Sequence, residues 1–279
     1  MSTTARVADR SELVTPTVTA RRPSVLAQTI ELTRRSLITE WRNPFGVMSG
    51  MIFPLVMAAV YSAQFARAAD IPGFPPVDSY LDFLLPAIVL QAVAFGATAA
   101  GGEMALDLQG GFFDRLLAAP TNRVTILIGK LNGVAVVAAL KSMVLMALLA
   151  PFGGFPEGGL AAALVVVLVA VALVLFLGGI GWTLAIRTGS QEAVDSTFPL
   201  IFVTLFMSSA FFPTQLMHGW YQTAAENNPI TWMIDPLRRI VIGSFDWSDA
   251  ATAIGVPLLG SVLTIGMALL ALRRRLVAS

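Results

Sequence analysis

The segment GGFFDRLLAAPTNR, from Gly110 to Arg123, lies between the second and third of six long apolar stretches. Two glycines open it, Pro120 closes its helical part, and paired phenylalanines and leucines stand close together within it. A membrane protein has little reason to present such an apolar face to water unless something docks on it. The sequence therefore predicts the membrane part of a machine whose other part is a separate protein.

The composition places the chain in the bilayer. Of its 279 residues, 56% are hydrophobic and 13% are charged, and the mean hydropathy is +0.76. Soluble domains carry roughly 25% charged residues, so this chain has too few to cover a water-exposed surface. A net charge of +1 gives no support for nucleic-acid binding. The absence of cysteine excludes disulfides and thiol chemistry, and a single histidine, His218, argues against a histidine metal site.

The six apolar stretches predict an all-α fold, a bundle of six transmembrane helices. A helix needs about 20 apolar residues to cross the hydrocarbon, and these stretches are too long and continuous for barrel strands. The predicted spans are residues 45–65, 83–102, 126–150, 158–186, 197–216 and 250–272.

Lysine and arginine predict the orientation. Of the 18 such residues, only Arg67, Arg238 and Arg239 fall on one side, Lys141 lies within a span, and all others fall on the opposite side. Since positive charge marks the cytoplasmic loops, both termini are expected in the cytoplasm, in a bacterial cytoplasmic membrane.

The region before the first span divides in two. Residues 1–23 are rich in Ser, Thr and Arg and are predicted to be a disordered cytoplasmic tail without a cleavable signal peptide. Residues 24–42 show an amphipathic helical pattern with Trp41 and Arg42 at its end. This pattern favours a helix lying on the inner membrane surface, and a solvated leader to the first span is the alternative.

The central loop predicts a short amphipathic helix. One side carries Phe112, Phe113, Leu116 and Leu117, and the other carries Asp114, Arg115 and Ala118. Such a helix could dip its apolar face into the bilayer or fill a groove on a cytoplasmic partner, and its residues alone favour neither.

Two motifs resemble the ABC-2 type permeases, the membrane subunits of exporters such as the daunorubicin and lipo-oligosaccharide systems. The first comprises Glu103, Gly110, Asp114-Arg115-Leu116-Leu117, Pro120, Arg123 and Gly129-Lys130. The second comprises Ser209-Ala210-Phe211-Phe212-Pro213, Trp220, Asn228-Pro229-Ile230-Thr231, Pro236, Arg238 and Gly243. Both stand in the expected order among six spans, and the resemblance covers about residues 24–275.

The resemblance implies a half-transporter. Two permease chains, identical or paralogous, would pair in the membrane above two copies of an ATPase subunit. The coupling helix would dock on that ATPase through Phe112, Phe113, Asp114, Arg115, Leu116, Leu117, Pro120 and Arg123. Residues 24–41 would form a connecting helix, and residues 213–243 would form re-entrant helices that close the outer end, with Asn228, Pro229 and Arg238 at the gate.

The ATPase itself is not encoded in this chain. A P-loop requires Gly, four residues, then Gly-Lys-Ser/Thr. At the only Gly-Lys pair, Gly129-Lys130, Val124 replaces the first glycine and Leu131 replaces the hydroxyl residue. We therefore expect no enzyme activity and no cofactor in this chain, with ATP and Mg bound by the partner.

Ionisable residues near the spans give weaker indications. Lys141 lies 11 residues beyond Lys130, about 16 Å along a helix, so it is expected near the middle of the membrane. There it either snorkels within the bundle or serves the substrate path or dimer interface. Glu103 and Asp107 are expected to pair with Arg115, Arg123 or Lys130. Arg238 and Arg239 are expected to pair with Asp235 or Glu226.

An aromatic stripe marks the fifth predicted span and the residues beyond it. It consists of Phe202, Phe206, Met207, Phe211 and Phe212. Helix packing is the commoner reason for such a stripe. If the phenylalanines line the path together with Lys141, they favour an amphipathic or hydrophobic cargo such as a drug, lipid or glycolipid.

Three other classes fit the sequence less well. A secondary transporter would carry paired ionisable residues within its spans, and an intramembrane enzyme would need a nucleophile with a base, or a metal cluster, at membrane depth. A membrane assembly protein would need neither. A neighbouring gene for a P-loop ATPase would argue against all three.

Overall fold

The computed structural model describes residues 30–31, 33–34, 37–38, 42, 44–111 and 123–278, without side chains at 44–49, 123–128 and 276–278. Every regular element in this part of the chain is helical. The longer helices are α1 Pro44–Gln64, α2 Tyr80–Gln109, α3 Arg123–Leu149, α4 Gly159–Thr188, α5 Gln191–Asp195, α6 Phe198–Phe206, α7 Gly219–Glu226, α8 Pro229–Val241 and α9 Trp247–Ala278. Three 3₁₀ turns, Ala68–Asp70, Ala150–Phe152 and Thr214–Leu216, join some of them.

Four helices of the described part are long and apolar enough to cross a membrane: Tyr80–Gln109, Gly129–Phe152, Gly159–Thr188 and Trp247–Arg275. They correspond to the predicted spans 83–102, 126–150, 158–186 and 250–272. The described apolar part of α1, Gly50–Gln64, is shorter. The all-helical class is therefore confirmed, whereas the count of six spans stays a prediction.

Helix α2 begins earlier than the sequence predicted because of a capping box. The Ser79 hydroxyl accepts a hydrogen bond from the Asp82 amide at 3.3 Å, and the Asp82 carboxylate accepts one from the Ser79 amide at 2.9 Å. This reciprocal pair satisfies two amides that a helix start would otherwise leave free. The helix consequently runs for 30 residues, about 45 Å.

The predicted fifth span, residues 197–216, is not one continuous helix. Helix α6 ends at Phe206 after nine residues, about 14 Å, or half of a roughly 30 Å hydrocarbon core. The chain then runs without regular helix to the 3₁₀ turn at Thr214–Leu216. The Ser208 hydroxyl bonds to the Leu205 carbonyl at 2.6 Å, and Pro213 further on has no amide with which to continue a helix.

Helix α4 is the centre of the bundle, because it packs along α9 and α2 and also contacts α3. Small residues allow these close approaches. A Cβ built on Gly101 of α2 would lie 3.1 Å from the Gly181 backbone of α4 and 2.7 Å from the Val194 side chain. Membrane helices associate through such small-residue contacts since lipid gives them no hydrophobic drive to pair.

The predicted interfacial helix is described at residues 30, 31, 33, 34, 37, 38 and 42, and all of these are helical. Ile30 and Ile38 are exposed. The predicted disordered tail, residues 1–23, and the coupling segment, residues 112–122, lie outside the described residues.

The contact between α4 and α9 can be tested at two neighbouring glycines. A Cβ on Gly179 would lie 2.8 Å from Thr264 Cβ and 3.1 Å from the Ile265 amide nitrogen, whereas a Cβ on Gly178 meets nothing within 4 Å. We expect Gly179→Ala to lower the free energy of unfolding by about 1–3 kcal/mol through overpacking. Thermal unfolding in detergent measures this. Gly178→Ala is the control, and an equal effect of both changes would contradict the packing argument.

Candidate functional site

One face of α8 is polar and buried. It carries Asn228, Thr231, Asp235 and Arg238, at intervals of three, four and three residues, which places them on one side of a helix. Three of the four are buried, and Asp235 is partly buried. This polar face is directed at the non-helical residues that follow α6. The structure thus joins two regions that the sequence separates.

Asn228 and Thr231 complete the end of α6. The Asn228 amide nitrogen donates to the carbonyls of Thr204 at 2.7 Å and Met207 at 3.1 Å. The Thr231 hydroxyl accepts from the Ser209 amide at 3.0 Å. The last four carbonyls of a helix have no partner within it. The Asn228 side chain supplies the donor that water would otherwise provide at this buried helix end, and the Thr231 hydroxyl supplies an acceptor for the amide of Ser209.

Arg238 is the most heavily bonded side chain of this face, with only 4% of its surface exposed. Its Nη2 donates to the carbonyls of Ser209 at 2.8 Å and Ala210 at 3.1 Å, and its Nε donates to the Phe83 carbonyl of α2 at 3.1 Å. Its Nη1 pairs with Asp235 at 3.1 Å, as the sequence predicted. One guanidinium therefore connects α8, α2 and the segment after α6.

The charge of Arg238 is retained despite its burial. Burial lowers the pKa of the guanidinium to about 10, and the neighbouring Asp235 carboxylate opposes that shift. The group is therefore still a cation at neutral pH. The Phe83 ring lies face-on at 3.7 Å from the guanidinium carbon, which adds a cation–π contact in a site that excludes water.

Two tyrosines hold the same segment from other helices. The Tyr80 hydroxyl of α2 donates to the Phe211 carbonyl, and the Tyr221 hydroxyl of α7 donates to the Phe206 carbonyl at 2.5 Å. The backbone of residues 204–211 is thus bonded from α2, α7 and α8. Non-helical backbone at membrane depth is tolerated when protein satisfies it in this way.

The three predicted gate residues lie at the start and along the polar face of α8. Asn228 caps the helix, since its side-chain oxygen accepts from the Ile230 amide at 2.9 Å, and Pro229 occupies the first helical position. Arg238 lies three turns later. Helix α8 lies within residues 213–243, and its 13 residues extend about 20 Å, less than a roughly 30 Å hydrocarbon core.

Three of the four predicted pathway phenylalanines, Phe202, Phe206 and Phe211, lie in one column of rings. Phe202 and Phe206 stack at 4.3 Å between centroids, and Phe206 and Phe211 stack at 4.7 Å. Phe211 meets Tyr61 of α1 at 5.1 Å, and Phe202 is parallel to Phe95 of α2 at 6.5 Å. The rings therefore pack on each other and on α1 and α2. They remain partly exposed, so one side of the column is open.

Phe212 leaves this column and packs towards the outer loop, where its ring lies 6.2 Å from that of Phe74. Phe74 is itself 4.8 Å from Phe83, the ring beneath Arg238. Ring contacts through Phe212, Phe74 and Phe83 thus connect the segment after α6 to the Arg238 guanidinium.

Lys141 of α3 lies near Gly96 of α2. It lines a small cavity of about 40 Å³ between α2, α3 and α4, together with Glu103. Small residues such as Gly96, Ala99 and Gly133 form much of the wall. The sequence did not associate these two ionisable side chains, because 38 positions separate them along the chain.

The C-terminal end of α2 and the N-terminal end of α3 are joined by an ion pair. Lys130 Nζ donates to the Asp107 carboxylate, which confirms one of the predicted pairings. The Gln109 amide, at the end of α2, donates to the Gly189 carbonyl after α4 at 2.9 Å. Gly110 and Gly111 then end the described part of the loop, and Gly111 has a φ of 64°. The predicted docking residues from Phe112 to Pro120, and the Arg123 side chain, lie outside the described residues.

Sequence reasoning missed Tyr80, Phe83 and Tyr221, and it named Ser209 and Thr231 only as members of a motif, without a structural role. Two signals could have indicated part of the site. The Ser208-Ser209 pair interrupts an apolar run, and polar residues recur on one face of the segment that became α8. No sequence signal pointed to Tyr80 or Phe83, whose partners are more than 100 residues away.

Apolar helices of membrane length, a broken span and a short polar-faced helix that supports it define a multi-pass membrane permease. The comparison with known families agrees with this class. Residues 27–242 match the family described as ABC-2 type transporter, and the chain belongs to that family. The resemblance seen in the two motifs is therefore confirmed.

Individual relatives are similar over most of their lengths. A putative transport permease ycf38 of Porphyra purpurea is 27% identical over 83% of this chain and 79% of the relative. The daunorubicin resistance ABC transporter permease protein DrrB1 of Streptomyces coeruleorubidus is 26% identical, covering 84% of this chain and 82% of its own length. A probable doxorubicin resistance ABC transporter permease protein DrrC of Mycobacterium tuberculosis is 24% identical, with 78% coverage of both chains.

The role of the buried guanidinium can be separated from surface charge by comparing two adjacent arginines. We expect Arg238→Ala to cost about 3–5 kcal/mol, because it leaves Asp235 unpaired and three carbonyls without a donor. Arg239 pairs with Asp249 and its side chain is 60% exposed, so Arg239→Ala should cost less than about 1 kcal/mol. Thermal unfolding in detergent compares the two.

A local readout is available because the chain has no cysteine. A single cysteine is introduced by Met207→Cys, and its rate of labelling with a small maleimide is measured. The rate should rise in the Arg238→Ala variant and stay unchanged in the Arg239→Ala variant. Equal stability and equal labelling in both variants would contradict the anchoring role.

Proposed function

We propose that this chain is the membrane subunit of an ATP-binding cassette exporter that moves an amphipathic or hydrophobic compound outward, with ATP hydrolysed by a separate subunit. The family membership supports the transporter class. The observation that carries the mechanism is the continuity of α2, which links the outer polar cluster to the predicted coupling segment. Its first turn receives Arg238 at the Phe83 carbonyl, and its last turn leads into residues 110–122.

Motion at the inner end would act on more than one helix. The Lys130–Asp107 pair couples α2 to α3, and the Gln109–Gly189 bond couples α2 to the end of α4. The predicted docking segment connects α2 and α3 directly. A push on that segment by an ATPase is therefore expected to shift these helices as a unit, as in rigid-body switching of a packed interface.

The docking segment would present Phe112, Phe113, Leu116 and Leu117 to a groove of the ATPase. Asp114, Arg115, Pro120 and Arg123 would fix its ends and its polar side. Two ATPase copies would bind ATP and Mg, and the helix of residues 24–42 would lie against the same subunit. This chain would contribute no catalytic group to hydrolysis.

At the outer end, α7 and α8 would form the re-entrant gate. The bonds from Asn228, Thr231 and Arg238 hold the segment after α6 in place, which supports a role for this segment in closing the outer end. Because Arg238 is bonded to α2 as well, a displacement of α2 would strain the bonds that keep that segment in place. Opening of the outer end would thus follow movement at the inner end.

The cargo class follows from the chemistry of the open surfaces. The ring column of Phe202, Phe206 and Phe211 offers a flat apolar wall, with Phe212 at its outer end, and the cavity beside Lys141 adds a polar position nearer the cytoplasm. An amphipathic compound with an aromatic or lipidic body fits such a path. Two of the relatives are named for resistance to daunorubicin and doxorubicin, which supports export of a drug.

In the membrane we propose six crossings, with α1, α2, α3, α4, the α6 segment with its non-helical continuation, and α9. Both termini would be cytoplasmic in a bacterial cytoplasmic membrane, since the positive charge gathers at the inner ends of the helices. A second permease copy, identical or paralogous, would cover the open side of the ring column.

The exporter proposal predicts that docking is sensitive to changes on the apolar side of the helix predicted at residues 112–119. In vesicles containing this chain and its candidate partner ATPase, Leu116→Asp should weaken ATPase binding by roughly tenfold or more, because an unpaired carboxylate would enter an apolar groove. Transport should fall with it.

Ala118→Asp is the control, since it adds the same charge on the opposite side of the segment. Pull-down of the ATPase and efflux of a fluorescent amphiphile are the readouts. A chain that binds no ATPase, or that transports without ATP, would instead support an ATP-independent role.

The coupling between α2 and α3 is testable by charge reversal. Asp107→Lys or Lys130→Asp alone places like charges together and should lower the transport per ATP hydrolysed several-fold while the ATPase still binds. The double variant restores an ion pair and should recover most of the transport. If the double variant is no better than either single change, the pair does not transmit the motion.

A further inference from the structure

Three arginines converge on one cleft at the inner ends of α4 and α9. The cleft has a volume of about 490 Å³, and its described lining consists of Ile186, Arg187, Thr188, Gly189, Ala271, Arg274 and Arg275. No acidic residue is among these. The ion pairs found in the described part of the chain involve other residues, so the positive charge of the cleft is not neutralised there.

The cleft has a fixed frame. Arg275 Nη1 donates to the Ile186 carbonyl at 3.3 Å, which joins the last turn of α9 to the last turn of α4. Gly189 ends α4 with a φ of 65°, and it adds no side chain to the opening. Arg187 and Arg274 are exposed and approach the cleft from different helices. Guanidinium groups so arranged can bind the oxygens of one phosphate in a bidentate manner.

An exposed apolar stripe leads away from the cleft along α9. It comprises Leu263, Met267 and Leu270, which are 61%, 43% and 55% exposed, and the next position on the same face is Arg274. From Leu263 to Arg274 the helix rises about 16 Å. This is close to half of a roughly 30 Å hydrocarbon core, the thickness of one leaflet.

We propose that this arginine cleft binds the headgroup phosphate of an anionic glycerophospholipid, with an acyl chain lying along Leu263, Met267 and Leu270. A free phosphate would use the arginines alone and would leave the stripe unexplained. A basic pocket between membrane helices, at the level of the headgroups, is suited to such a lipid. The site is distinct from the ring column, the Lys141 cavity and the docking segment, so it goes beyond the proposed transport path.

Native mass spectrometry of the full chain in a neutral detergent tests the proposal. Phosphatidylglycerol and phosphatidylcholine with identical acyl chains are titrated separately, and the retained lipid is counted. The wild-type chain should retain phosphatidylglycerol in preference. The variant with both Arg187→Ala and Arg274→Ala should bind it roughly tenfold more weakly or worse, since each arginine near a membrane surface contributes appreciably to anionic-lipid affinity.

Arg273→Ala is the matched control, because Arg273 is exposed and adjacent in sequence but does not line the cleft. It should leave the affinity for phosphatidylglycerol within about twofold of the wild type. An equal loss in Arg273→Ala would reduce the effect to general surface charge and overturn the proposal.

Two further outcomes would also overturn it. Displacement of the lipid by millimolar inorganic phosphate would identify a free-phosphate site. Loss of the lipid on addition of the partner ATPase would assign the cleft to a protein contact. If the double variant fails to fold, the single change Arg274→Ala replaces it and is compared with Arg273→Ala, and a wild type that shows no preference for phosphatidylglycerol refutes the site. Because this binding needs neither ATP nor cargo, its failure would leave the exporter proposal intact.

Discussion

The requirement that every buried backbone group find a partner governs this structure, and the bonds made by Arg238 are the clearest expression of it. Helix α6 stops after nine residues, so its terminal carbonyls and the amides that follow lie among helices rather than in water. Arg238, Asn228 and Thr231 supply the missing partners from α8. An isolated buried cation would be unfavourable, yet Asp235, three carbonyls and the Phe83 ring compensate for its desolvation.

Helix α2 is bonded to other helices at both of its ends. Its outer turn holds the cluster around Arg238, and its inner turn is tied to α3 and α4. Between these ends, Gly101 lets it approach α4 closely, so it packs as a continuous rod. A rod fixed at both ends transmits displacement over its length, whereas a flexible chain would absorb it. This is the physical basis of the proposal that a docking segment at one end of α2 acts on a gate at the other end.

The positions of the charged side chains follow the free-energy cost of removing each charge from water. Arginines with free access to the inner surface stay exposed, as Arg187 and Arg274 do at the ends of α4 and α9. Cations deeper in the protein share a site with an anion: Arg238 has Asp235, Lys130 has Asp107, and Lys141 lines one cavity with Glu103. The exposed arginines can therefore serve an external anion, and the buried ones hold helices together.

Composition and the lengths of the apolar runs determined the helical membrane class, because only a bilayer can accommodate so many apolar residues with so few charges. Residue patterns also predicted the pairing of Lys130 with Asp107, because these two residues lie at one membrane level, whereas the end of α6 at Phe206 inside the predicted span 197–216 was not foreseen. Only the tertiary structure decided which side chains complete the broken helix. Tyr80 and Phe83 meet residues 209–211 and Arg238 across more than 100 positions of sequence, and Glu103 meets the Lys141 cavity across 38. Periodicity assigns a residue to a face of its own helix, but the identity of the facing helix depends on how the whole bundle packs.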